Sequence, residues 1–106
     1  MLCAAVAVGV AGCGHAPPAA QGRVYGDPRA GLSIYRFTGC GGCHPISGVS
    51  VGRGDPPPGP TLDGEGGRRD PTWLRGMLPA HLSQEGLALL SPRDGEDLVT
   101  YLASLR

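Results

Sequence analysis

The run Cys40, Gly41, Gly42, Cys43, His44 sets two thiols three positions apart and an imidazole directly behind the second. A fold that uses all three side chains must curl this pentapeptide into a tight turn, and the two glycines make such a turn easy to form. The spacing C-x-x-C-H suits a porphyrin: the two cysteines reach the two vinyl groups on one edge, and the turn swings the histidine beneath the ring to the iron. Two other chemistries use C-x-x-C. A dithiol redox motif follows a strand in an alternating strand and helix pattern, which a short chain with apolar residues at helical spacing does not offer. A zinc site needs a second ligand pair, yet outside the pentapeptide only His15, His81, Cys3 and Cys13 remain. The motif points first to one covalently bound haem c held by Cys40, Cys43 and His44, with zinc and dithiol chemistry as the alternatives.

The stretch from Leu2 to Gly12 is apolar. It has the length and composition of the hydrophobic part of a secretion signal and is too short to cross a bilayer as a permanent helix. Val10, Ala11, Gly12 and Cys13 resemble the lipobox of bacterial lipoproteins, in which cleavage before the cysteine leaves a lipid-bearing residue at the mature N-terminus. No Lys or Arg precedes the apolar run, which departs from that pattern. The resemblance implies a signal segment over residues 1–12 and lipidation of Cys13. The alternative is an apolar tail in which Cys13 is unused. From residue 14 to 26 the His, Ala, Pro, Gln and Gly composition reads as a flexible tether. The expected location is the periplasm or the outer face of a bacterial membrane. Export agrees with covalent haem attachment, which bacteria carry out outside the cytoplasmic membrane.

Residues 27–106 then form one domain, too short to bury a large core from side chains alone; a haem would supply the missing apolar mass. Nine acidic residues balance nine basic ones, so charge gives no footprint for nucleic acid or for an anionic membrane surface. Three helices are expected, each opened by a capping residue and a proline: Asp27 and Pro28, Asp70 and Pro71, Ser91 and Pro92. The cap oxygen takes an orphan amide, and proline has no amide to leave unpaired. Leu32 and Tyr35 share a face of the first helix, with Phe37 nearby, and Gly39 ends it. Leu98, Tyr101, Leu102 and Leu105 form a stripe on the third. The two terminal helices should bury these stripes against each other, with Gly31 allowing close approach near Tyr101. Residues 47–67, rich in Gly and Pro, should form an irregular loop beside the cofactor.

C-G-G-C-H after a short helix, then Gly59, Pro60, Thr61, Leu62, Asp63 and Gly64, then Trp73 and Leu74, then the closing run from Leu90 to Leu102 resemble a small class I, mono-haem cytochrome c. The resemblance covers residues 27–106 and implies an all-α cytochrome c fold: three main helices and long Gly/Pro-rich loops around one covalent haem. It also implies that the Pro60 carbonyl orients the His44 imidazole, an effect that tunes the iron from one bond away. The family's usual sixth iron ligand is a methionine in the loop before the last helix, and here that loop reads Gly86, Leu87, Ala88, Leu89, Leu90. An open or water-bound position ranks first for the sixth site. Met77, on one face with Trp73 inside the second helix, ranks second; His81, read in a turn after Pro79, ranks third. The function implied is electron transfer to redox partner proteins by a lipid-tethered carrier that is not itself an enzyme. The alternatives are a small-gas binding module with a displaceable sixth ligand and a haem subunit of a larger oxidoreductase. Glu96 and Asp97 are adjacent on a helix and point in different directions, which argues against an acid and base pair. Gly52, Arg53, Gly54 and Asp55 lack the Gly-Lys-Ser/Thr ending of a phosphate loop.

Overall fold

The computed structural model describes residues 22–106. The expected signal segment, the lipidated Cys13 and His15 lie outside the described residues. Five helices follow in order: α1 Pro28–Phe37, α2 Cys40–Cys43, α3 Glu65–Arg68, α4 Pro71–Gln84 and α5 Pro92–Ala103. Among the described residues there is no strand, only an isolated bridge between Ile46 and Ser50. No helix among them is long and apolar enough to cross a membrane. The chain is therefore all-α over this range.

The three longer helices begin where their caps dictate. Asp27 accepts from the Arg29 amide at 2.9 Å, Asp70 from the Trp73 amide at 2.9 Å, and Ser91 Oγ from the Asp94 amide at 3.1 Å. In each case proline follows in the first turn. Helix α1 ends at Thr38, and Gly39 at φ 87° turns the chain directly into α2.

The most extensive helix packing joins α1 to α5. A Cβ on Gly31 would stand 2.0 Å from the Asp97 carbonyl oxygen and 2.6 Å from Tyr101 Cβ, so only glycine permits this crossing. The rings of Tyr35 and Tyr101 lie 5.9 Å apart and tilted, within the range of favourable aromatic pairs. Tyr35, Leu74, Leu98 and Val99 are fully buried, and Ile46, Leu78, Tyr101 and Leu102 complete the cluster. Phe37 is 92% exposed. It sits two positions past Tyr35, on the far side of α1 from the buried stripe.

The adjacent carboxylates of α5 serve different neighbours. Asp97, buried, accepts from the Asp27 amide at 2.8 Å. Glu96 accepts from Arg75 Nη2 at 2.7 Å and Nε at 2.9 Å, and from the Tyr25 amide at 3.3 Å. Arg75 Nη2 also donates to the Arg23 carbonyl at 2.8 Å, and the Gly26 amide donates to Thr100 Oγ1 at 3.0 Å. The last residues of the expected tether, 23–26, are thus bonded to α4 and α5.

Helix α4 corrects the expectation that the chain turns at Pro79: it runs on to Gln84 with Pro79 inside it and His81 in its last turn. An interior proline costs a helix roughly 3 kcal/mol. Leu74, Leu78 and Leu82 form an i, i+4, i+8 stripe that is 0%, 8% and 3% exposed. Leu82, the one leucine of this stripe past Pro79, contributes about 1.5–3 kcal/mol by its burial, which offsets most of the cost of the break.

The loop expected to be irregular over residues 47–67 is so from Ser47 to Gly64, whereas its last three residues are helical, in α3; the irregular part is fastened at both ends. Ser47 donates to Asp63 through its amide (2.8 Å) and hydroxyl (2.5 Å), and the Leu62 amide donates to the Pro45 carbonyl at 2.9 Å. The Gly66 amide then donates to Leu105 O at 2.6 Å, which brings α3 against the end of α5.

Candidate haem-binding site

Helix α2 is a single turn made by the C-x-x-C residues themselves, closed by the His44 amide donating to the Cys40 carbonyl at 2.8 Å. This turn puts Cys40, Cys43 and His44 on one wall of a cavity of about 910 Å³, towards the upper end of the roughly 300–1,000 Å³ of small-molecule and cofactor sites. Leu62, Leu74, Leu78, Leu98 and Leu102 supply apolar lining. Arg53, Arg68 and Arg69 bring positive charge to it and Glu65 and Glu85 negative charge, with Arg68 and Glu65 paired at 2.8 Å. A second cavity, of about 240 Å³ between α4 and α5, contains neither cysteine nor histidine.

Both cysteines are free thiols, partly buried. Burial pushes the Cys40 thiol up from its ordinary pKa; the Thr38 hydroxyl, 3.0 Å from its sulfur, works against that shift without cancelling it. Arg53 Nη2 approaches Cys43 Sγ at 3.4 Å.

His44 is held at both its backbone and its ring. The Tyr35 hydroxyl donates to the His44 carbonyl at 2.6 Å and is paired with Ser50 Oγ. His44 Nδ1 lies 2.8 Å from the Pro60 carbonyl oxygen. A carbonyl only accepts, so Nδ1 carries the proton and the Nε2 lone pair is left for a metal. The contact that the family resemblance implies for Pro60 is therefore present. Gly59 makes it possible: a Cβ there would stand 2.6 Å from His44 Cε1 and 2.7 Å from Nδ1, while the Gly59 amide donates to the Cys43 carbonyl at 2.8 Å.

Trp73, Met77 and His81 recur every four residues along the face of α4 that lines the same cavity. Met77 also packs against the hydrophobic cluster. The His81 ring lies 5.9 Å, centre to centre, from that of His44.

These residues fit a haem. Two free thiols at the motif's spacing, an imidazole with one nitrogen committed to a carbonyl, and an apolar cavity of cofactor size are what a covalently attached porphyrin needs. Among the described residues no three His, Cys, Asp or Glu side chains converge to hold a bare metal ion. Tyr35, Ser50 and Arg53 were not singled out for this site from sequence, and Gly59 entered only as part of the segment that carries the resemblance. Tyr35 read as plain core, although a buried tyrosine hydroxyl calls for a partner. No protein-family model, curated protein or solved structure matches the chain.

Proposed function

We propose that the chain is a mono-haem c-type electron carrier of cytochrome c fold, tethered to a membrane through a lipidated Cys13. The observation that carries this reading is the opening of Cys40, Cys43 and His44 into one apolar cavity with His44 Nδ1 bonded to Pro60. When bound, the haem supplies a one-electron change between ferrous and ferric iron. The protein's own part is to hold and shield. Cys40 and Cys43 would anchor the group and His44 would ligate it through Nε2, while Pro60 fixes the tautomer and plane of that imidazole. The leucines of the cavity wall keep water away. Glu96 and Asp97 are both engaged in holding the N-terminal segment. Redox partner proteins are the natural clients of such a carrier.

The test is a denaturing gel stained for haem after acid and organic solvent extraction. The full-length exported protein keeps its stain, and Cys40→Ala with Cys43→Ala abolishes it. A stain that survives the double substitution would refute the assignment.

A further inference from the structure

We propose that His81 is the second axial ligand, so that the iron is held between two imidazoles, His44 and His81; this rests on the haem-carrier reading above. The sequence places His81 in a turn, and the structure instead carries it on α4, one turn past Met77 on the cavity-lining face. Two imidazoles that share one metal ion keep their ring centres about 6 Å apart, the sum of two metal–nitrogen bonds of about 2 Å and, in each ring, about 1 Å from the ligating nitrogen to the centre. The two rings stand 5.9 Å apart.

Three further observations bear on the choice of ligand. His44 has Nδ1 committed to Pro60, so its free nitrogen is the one suited to a metal. His81 is partly buried, yet among the described residues its ring has no hydrogen bond, only the ring contact with His44. Neither ring nitrogen is sealed from solvent, and neither is committed to a partner among those residues. Met77, in contrast, is accounted for by its packing on the hydrophobic cluster. The loop before α5 presents only Leu87, Ala88, Leu89 and Leu90, so no sulfur competes from there. A plain aromatic pair would also tolerate a separation of about 4.5–7 Å, and the experiment is chosen to separate that case.

Visible, near-infrared and electron paramagnetic resonance spectra of the purified full-length haem protein provide the readout. The ferric protein is expected to be low spin with no methionine-to-iron near-infrared band, and Met77→Leu should leave these spectra unchanged. His81→Ala should convert the ferric protein to high spin, open the ferrous form to carbon monoxide, and return to low spin when free imidazole is added. His81→Met should remain low spin, gain the methionine band and raise the reduction potential. Far-ultraviolet circular dichroism of each variant checks that α4 is intact. A wild-type protein that is high spin from the start, or a methionine band lost in Met77→Leu, would overturn the proposal and leave the haem-carrier reading standing. Absence of covalent haem from the wild-type protein would overturn both.

Discussion

At the scale of single residues, the site depends on Gly59 as much as on the ligands it serves. The Pro60 carbonyl reaches His44 only because the preceding residue has no side chain to strike the imidazole. In Gly59→Ala the new methyl would lie 2.6 Å from His44 Cε1, so either the ring turns or the loop lifts, and both break the bond to Pro60. Overpacking of this kind typically costs about 1–3 kcal/mol. On the proposed haem reading, loss of the carbonyl partner would also make His44 a weaker donor to the iron, so the reduction potential should rise. Gly95→Ala is the matched control. A Cβ there meets nothing within 4 Å, and its helical position should give a gain of about 0.5–1 kcal/mol. Urea unfolding and a redox titration of both variants check the pair; an unchanged potential in Gly59→Ala would mean that Pro60 does not tune the ligand.

At the scale of elements, α4 decides what the cavity contains, and Pro79 is its one internal liability. Replacing it restores a helical amide and relieves the ring's clash with the preceding turn, a gain of up to about 3 kcal/mol. The more flexible unfolded chain takes back about 0.4–1 kcal/mol of that. Pro79→Ala is therefore expected to be about 1–2 kcal/mol more stable in urea while leaving the haem spectrum as it was, since His81 already sits in helical register. A destabilised variant would show that the proline ring does more than interrupt the helix. The same element marks where sequence reading works and where it stops. Asp27, Asp70 and Ser91 were readable as caps because a cap acts on an amide two or three residues away. The fate of Pro79 was not, because it turns on Leu82 being buried against distant parts of the chain, and no local rule weighs that burial against a broken hydrogen bond. The C-x-x-C-H turn was legible for the same reason as the caps. The 5.9 Å approach of His81 to His44 was not, since it requires α4 to continue and the chain to fold back across 37 positions.

At the scale of the whole molecule, one ion pair joins three separated segments. Arg75 on α4 and Glu96 on α5 bind each other and, through the Arg23 carbonyl and the Tyr25 amide, hold the chain that leads into α1. The hydrogen bond and the charge of Arg75 hold the Glu96 carboxyl below the usual range, against the opposing effect of burial. A carboxylate depressed in the folded state contributes stability above its unfolded pKa of about 4.3 and loses it as pH falls through the lower folded value. The Arg75 guanidinium is shifted upward, away from any pH at which the fold would be studied. With the Arg75 side chain a third exposed, solvent screening limits the pair to about 1 kcal/mol. Asp63 is depressed as well, chiefly by its bonds from Ser47, and it keeps its own acid sensitivity in any Glu96 variant. Urea unfolding of Glu96→Gln should therefore show a deficit of about 1 kcal/mol at pH 7. That deficit should shrink as the pH is lowered below about 4.3, and the two curves should meet in acid while both still fall because of Asp63. Curves that stay parallel across this range would mean that the pair does not hold the N-terminal segment through the charge of Glu96.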